Sequence, residues 1–341
     1  MVTIIDVARA AGVAPSTVSY VLNGKRPISA DTRRLVEQCI RQLGYRPMSR
    51  RTSAPRQRTS VLGLLAPLPA ATAVPAALTR LVGAVMTAAR ARDHDLLLLT
   101  HGSGMAALRR AVSTAVADAL IVTDVRASDP RIPALTALGR PVVLVGEPAQ
   151  STGLPCVTLD FEAAADSVVE HLVGLGHRTV GLVGSPLSTY AWGADYARQC
   201  TRAFEASAGR AGLRVRRRPC GDSGDAVRNC LQGLLAGEPG VTALAVENEV
   251  TLPNVLEQLS ALGLRVPEDI SVVAVCREET ARRPPIPLTS VAVPTAELGA
   301  VAVDMVLRQF EGESEPEVRR IVPGLTVRQS TGAAPAVSSC A

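Results

Sequence analysis

Val13-Ala14-Pro15-Ser16-Thr17-Val18-Ser19-Tyr20-Val21-Leu22-Asn23-Gly24 reads as a short helix with aliphatic residues on one side and small polar ones on the other. Val18, Val21 and Leu22 recur at i, i+3 and i+4, so they face inward and leave Ser16, Thr17, Ser19, Tyr20 and Asn23 outside. Pro15 sits near the first helical position, where a missing N–H costs nothing. Upstream, Thr3 offers a hydroxyl cap with Asp6 three residues on, Ile4, Val7, Ala8 and Ala11 form an apolar stripe, and Gly12 breaks it. Downstream, Ser29 caps a third helix whose stripe is Leu35, Val36, Cys39, Ile40 and Leu43, with Gly44 as its stop. Helix, glycine-containing turn and helix, supported by a third helix, make the helix-turn-helix layout.

Charge separates this segment from the rest of the chain. Through Ser60 there are eleven Lys and Arg residues against three acidic ones, a net of +8, whereas all 341 residues carry +5, which leaves −3 for everything after it. A small cationic module with a hydrogen-bonding outer face points to a polyanionic partner. No charged-then-apolar leader precedes the first helix, and no apolar run reaches the roughly 18 residues of a membrane span, so a soluble cytoplasmic protein is expected. Seven cysteines without C-x-x-C spacing read as free thiols, and four histidines show no zinc spacing; His171 and His177 are expected in capping or surface roles.

Beyond Ser60 the pattern turns to strand-then-helix units. Apolar runs at Val61–Leu65, Leu96–Leu99, Leu120–Val122 and Val142–Val145 alternate with helical stretches near 75–92 and 105–117. The theme restarts with helices over 162–175, 195–211 and 226–235 and strands at Val180–Val183, Ala243–Val246 and Ser271–Val275. It ends with Ser290–Val293, a helix over 296–310, strands near Val318 and Val327, and a small polar tail from Thr331 that is expected to fray. Continuous apolar strands alternating with amphipathic helices predict an α/β fold with parallel sheets covered on both faces, in two lobes.

The run Thr-Ile-Ile-Asp-Val-Ala from Thr3, then Ala-Gly-Val, Thr-Val-Ser, Leu-Asn-Gly, Ser-Ala-Asp-Thr-Arg and Leu-Gly-Tyr-Arg-Pro, resembles the DNA-binding headpiece of the lactose-repressor (LacI/GalR) family over more than forty residues. Carried over by position, the resemblance implies base reading by Pro15, Ser16 and Tyr20. It implies phosphate contacts by Thr3, Thr17, Ser19, Asn23, Ser29, Thr32 and Tyr45. Two positions depart from the family pattern. Tyr20 stands where Arg is common, and a phenol offers one hydroxyl where a guanidinium grips guanine with two N–H groups. In the hinge, Met48, Arg51, Thr52 and Ala54 replace the usual Asn, Ala, Arg and Leu wedge; Ala54 is too small to prise open a base step, and Pro55 limits a helix there.

The remaining chain resembles the family's effector-binding core, a two-lobed fold shared with periplasmic sugar-binding proteins. The supporting stretches are 171–178, Val266–Val273, Pro287–Val291 and Glu297–Gly299. The implied organisation is a headpiece over 1–47, a basic hinge over 48–60, a core over 61–330 and a flexible tail over 331–341. Lobe 1 would comprise about 61–160 and 291–322, lobe 2 about 161–290 and 323–330. A small ligand is implied in the interlobe cleft, at the strand C-terminal ends. Asp160 and Arg198 match polar effector-holding positions, Asn248 and Glu249 stand where Asn-Asp is usual, and Cys276 replaces an Asp that accepts sugar hydroxyls in many relatives, which speaks against a hexose. Tyr190 and Trp192 either stack on a ligand ring or line the lobe interface.

Catalysis finds little support. Gly181-x-x-Gly184 and the stretch 101–104 lack a full phosphate-loop spacing, and Ser185 has no G-x-S-x-G frame. The expectation is a regulator, repressor in sign, that binds a pseudopalindromic operator in double-stranded DNA as a homodimer under control of a small-molecule effector, a sugar or another metabolite. It needs no cofactor, metal or membrane. The alternative is a cytoplasmic small-molecule binding protein whose headpiece no longer reads an operator, in view of Tyr20 and the degenerate hinge.

Overall fold

A computed structural model describes residues 4–23, 28–43, 59–66, 76–100, 108, 116–237, 240–312 and 316–335. The chain divides into two compact units, Met1–Gln57 and Arg58–Ala341. In the first, helices α1 (Ile4–Ala10), α2 (Pro15–Asn23) and α3 (Ala30–Leu43) enclose one small core. Val7, Ala8 and Ala11, Val18 and Val21, and Val36 and Cys39 meet there, with Val13, Ile28 and Ile40 at its margin. Gly12 turns the chain at φ +61°, a left-handed conformation that glycine adopts without a Cβ penalty. On α3 the buried positions are Val36 and Cys39, with Ile40 partly buried beside them; Leu35, one residue off that line, and Leu43, in the last turn, are exposed. The Ser29 cap forms as expected, its Oγ accepting from Thr32 N at 3.3 Å. Thr3, Tyr45, the hinge positions Met48, Arg51, Thr52 and Ala54, and the side chain of Asn23 lie outside the described residues.

The second unit begins β1 (Val61–Leu65), α4 (Ala76–Arg90), β2 (Asp95–Leu99), β3 (Ala119–Val122), α5 (Ile132–Thr136), β4 (Val142–Val145) and β5 (Cys156–Leu159). It continues α6 (Phe161–Gly174), β6 (Thr179–Gly184), α7 (Leu187–Trp192), α8 (Asp195–Arg210), β7 (Arg214–Pro219), α9 (Gly224–Leu235) and β8 (Ala243–Val246). A 3-10 turn (Glu249–Thr251) leads into α10 (Leu252–Ala261), β9 (Ser271–Val275), α11 (Glu278–Arg282) and β10 (Thr289–Val291), and the unit closes with α12 (Thr295–Arg308), β11 (Val318–Ile321) and β12 (Leu325–Thr326). The strands form two sheets of six, ordered β11-β5-β4-β3-β1-β2 and β12-β10-β9-β8-β6-β7. All pairings are parallel except that β12 runs antiparallel to β10. The chain passes between the sheets after β5, after β10 and after β11, so each lobe is assembled from separated segments.

Why these strands lie inside follows from their composition. Val, Leu, Ile and Ala fill both faces of β3 and β8, as helices on the two sides of a parallel sheet require. In each lobe the first strand, second from the edge of its sheet, carries a glycine under a leucine. A Cβ on Gly63 would stand 2.6 Å from Leu120 Cδ2, and one on Gly181 2.7 Å from Leu244 Cδ2. Two strands were not foreseen, β5 and β7. β7 is an exposed edge strand of sequence Arg-Val-Arg-Arg-Arg-Pro, paired on one side only to β6; a charged edge carries no apolar run and resists pairing with another chain.

Two expectations change in the second lobe. His177 is fully buried, not at the surface: its Nδ1 lies 2.9 Å from Thr242 Oγ1 and its Nε2 3.1 Å from Ser271 Oγ and 3.2 Å from Gly332 O. Burial lowers its pKa and keeps the ring neutral. The chain just after Ser330 is held, not frayed. Thr331 Oγ1 lies 2.9 Å from His171 Nε2, Gly332 N donates to Ser271 Oγ at 3.1 Å, and Ala334 N donates to Leu175 O at 2.8 Å.

Candidate functional site

Two surfaces carry the candidate chemistry. On the headpiece, burial of Val18 and Val21 fixes the roll of α2, so Pro15 and Ser16 are exposed while Thr17, Ser19 and Tyr20 are half-buried along the same outer arc. Ser29 and Thr32 start α3, their hydroxyl oxygens 2.8 Å apart. Small polar groups at the N-terminal end of a helix can approach base edges, and the flanking hydroxyls and amides suit phosphate oxygens.

In the second unit a cavity of about 980 Å³ opens between the lobes at the C-terminal ends of β4, β5, β6, β8 and β9. Lobe 2 supplies most of its polar wall. Glu249, in the turn after β8, accepts from Arg277 Nε at 2.5 Å and from Thr280 Oγ1, and its Oε2 lies 3.9 Å from Arg80 NH2 on α4 of lobe 1. Asn248 donates Nδ2 to Asp222 Oδ1 at 2.8 Å and accepts from Val250 N at 3.2 Å, which caps the 3-10 turn. Glu247, at the end of β8, accepts from Ser185 Oγ at 2.8 Å. Its other oxygen is buried without a hydrogen bond, as is Nε of Arg80. Burial pushes the Glu247 carboxyl up to about 7, against weaker opposing pulls from Ser185, the nearby Tyr190 hydroxyl and Arg217. The Tyr190 hydroxyl itself is engaged 3.1 Å from Thr201 Oγ1.

The sequence-derived residues divide by helix and strand periodicity. Asn248 and Glu249 line the cavity; Asp160, Tyr190, Trp192, Arg198 and Cys276 are not among the described residues that do. Asp160 caps α6, accepting from Ala163 N at 2.9 Å. On α8 the face toward the cavity carries Tyr196 and Cys200, four residues apart, which turns Arg198 away to donate to Tyr190 O at 3.2 Å. Val275 lines the cavity, so the next residue, Cys276, turns into the lobe 2 core, where burial drives its thiol up to about 12. Sequence reasoning missed Arg80, Ser185, Glu247 and Arg277. Glu247 had a usable signal, since it ends an apolar strand directly before Asn248; Arg80 had none, since its partners arrive from 169 positions away, as the numbering of Arg80 and Glu249 gives.

Trp192 belongs to a second junction between the lobes. Its Nε1 donates to Asp124 Oδ2 at 2.9 Å, and the Arg126 guanidinium stacks 3.8 Å from its ring centroid. The backbones of Arg126 and Ala194 pair as an isolated antiparallel bridge, and Gln199 Nε2 donates to Glu147 O at 3.1 Å. Asp124 is held at φ +53°. Beneath it, Arg131 donates through NH2 to the carbonyls of Thr123 (3.1 Å) and Asp124 (2.8 Å) and forms a buried ion pair with Asp129 at 2.6 Å. Burial alone would raise the Asp129 pKa, but the hydrogen bonds from Arg131 outweigh it and the net shift is downward. Among the described residues no cluster of His, Cys, Asp and Glu could hold a metal ion, and no helix is long and apolar enough to cross a membrane.

Comparison with known proteins places this geometry. Residues 3–48 match the model of bacterial regulatory proteins of the lacI family, and residues 169–331 match a periplasmic binding protein-like domain. The chain is 31% identical over 343 residues to the HTH-type transcriptional regulator PtxS of Pseudomonas aeruginosa, covering 97% of this chain and 96% of that one. Among solved structures, it is similar to the lac repressor dimer bound to operator and the anti-inducer ONPF (TM-score 0.68, 25% identity, 97% and 99% of the two chains). It is similar also to the CelR–cellobiose complex (TM-score 0.67, 25% identity, 97% and 100%).

Proposed function

Because the chain belongs to the lacI family of bacterial regulatory proteins, a family of DNA-binding transcriptional regulators, we propose that it represses transcription by presenting α2 to the major groove of a pseudopalindromic operator as a homodimer. The observation that carries this reading is the roll of α2, which buries Val18 and Val21 and turns Pro15 and Ser16 outward. Pro15, Ser16 and Tyr20 read bases; Thr17, Ser19, Ser29 and Thr32 hold phosphates and set the register. One headpiece buries little surface, and a two-fold pair doubles both contact and specificity.

The cleft is the control element. A ligand there changes the balance between open and closed lobes and, through it, operator affinity, with a coupling of about 1–3 kcal/mol. One solved relative is a complex with cellobiose and another carries an anti-inducer, which supports a small-molecule effector for this chain. Nothing in this reading calls for a catalytic step, and a DNA operator as partner supports a cytoplasmic protein. Footprinting across the genome tests it, with palindromic sites expected. Ser16→Ala should relax one operator position, worth about 1–3 kcal/mol there, while Thr17→Ala weakens all sequences alike. Featureless binding that both changes weaken equally would favour a small-molecule binding protein instead.

A further inference from the structure

The described polar groups of the cleft are mostly spent on one another. Glu249 is occupied by Arg277 and Thr280, Asn248 by Asp222 and Val250 N, and Ser185 by one oxygen of Glu247. Two buried polar atoms are left over, one on each lobe: Arg80 Nε, a donor, and Glu247 Oε2, an acceptor. A buried polar atom without a partner has given up water for nothing, and a ligand atom that satisfies it recovers that cost. Much of the remaining described wall is hydrocarbon, including Val145, Val157, Leu159, Leu252, Val275 and Leu298. A hexose brings hydroxyls on every side, each of which gives up water on entry and finds no partner against aliphatic carbon.

Charge selects among apolar ligands. Arg80, Arg277 and Arg283 line the cavity against Glu247 and Glu249. With Glu247 pushed to about 7 by burial, its carboxyl is partly neutral at neutral pH and the wall is cationic. The contact between Arg80 and Glu249 at 3.9 Å is long for an ion pair, and among the ion pairs of the described residues it is the one that joins the two lobes across the cavity. An anion at Arg80 would replace Glu249 there.

Resting on the reading that this cleft takes an effector, we infer that the effector is a carboxylate with a hydrocarbon body and one distal hydroxyl, its carboxylate held by Arg80 and its hydroxyl donating to Glu247 Oε2. The carboxylate exchanges a loose lobe-to-lobe contact for one made through the ligand, so binding and closure are one event.

Calorimetric titration and thermal melting of the full-length protein test this with 3-(4-hydroxyphenyl)propionate and 10-hydroxydecanoate, their neutral amides, their analogues lacking the hydroxyl, and glucose and cellobiose. Saturable binding of at least one hydroxy acid is expected, with the amide and the deoxy analogue each about tenfold weaker and neither sugar binding. Arg80→Gln should weaken the acid about tenfold and leave the amide unchanged, while the melting temperature without ligand checks that the variant folds. Tighter binding of a sugar, equal binding of acid and amide, or no saturable binding of any acid would each overturn the inference. These titrations use no DNA, so their failure leaves the operator reading standing, and failure of the unliganded protein to footprint leaves the ligand class standing.

Discussion

The two lobes are built to one plan and wired differently. Each sheet has six strands in corresponding order, and each sets a glycine of its second-from-edge strand, Gly63 or Gly181, beneath a leucine of the next strand, Leu120 or Leu244. At the cavity the likeness ends. Lobe 2 contributes Ser185, Glu247, Asn248, Glu249, Arg277 and Thr280, whereas the charged contribution of lobe 1 among the described residues is Arg80. Lobe 1 keeps its strongest polar arrangement elsewhere, in the buried Arg131–Asp129 pair that supports Asp124 beneath Trp192. Most of the polar groups facing the cavity therefore belong to lobe 2, while lobe 1 keeps its buried ion pair under the second junction.

Three measurements sharpen or break that division. Arg131→Met leaves Asp129 buried without its partner and releases the carbonyls of Thr123 and Asp124, so urea unfolding should lose about 3–5 kcal/mol; a loss below about 1 kcal/mol would show that lobe 1 does not depend on this pair. Glu247→Gln probes lobe 2 through pH. The folded-state pKa is raised from 4.5 to about 7, so the contribution of the neutral carboxyl is full below 4.5 and is lost as pH rises through about 7. The glutamine variant escapes that loss and should gain up to about 2–3 kcal/mol over the parent above pH 7, with no gain at pH 4. A flat difference across this range would mean the carboxyl is well solvated. Smallest, Gly63→Ala and Gly181→Ala should each cost about 1–2 kcal/mol, and by similar amounts, because both place a Cβ against a leucine methyl. Unequal losses would mean that the two sheets pack their first strands by different rules.

The parts legible in the sequence were those written in local pattern. The stripe on α2, the Ser29 cap, and the runs Val61–Leu65, Val142–Val145, Ala243–Val246 and Ser271–Val275 all appear where periodicity puts them. β7 escaped because its arginines suit an edge and no core, and His177 because its partners Thr242, Ser271 and Gly332 come from distant segments. In the cleft, Asn248 and Glu249 were legible as a polar pair after an apolar strand. Cys276 and Arg198 show the limit of positional transfer: one residue along a strand, or two along a helix, turns a side chain to the opposite side. Arg80 was illegible, because a single arginine on an amphipathic helix announces nothing until the fold brings Glu249 to it.

The three passages between the sheets have a consequence for how the protein is made. β11 completes the first sheet and β12 the second, and both belong to the last described stretch of the chain. A ribosome therefore releases the headpiece, whose small core is self-contained, well before either lobe has its full set of strands. For that interval the nascent polypeptide carries a finished groove-docking module on an unfinished sensor, and only late translation brings the two under common control.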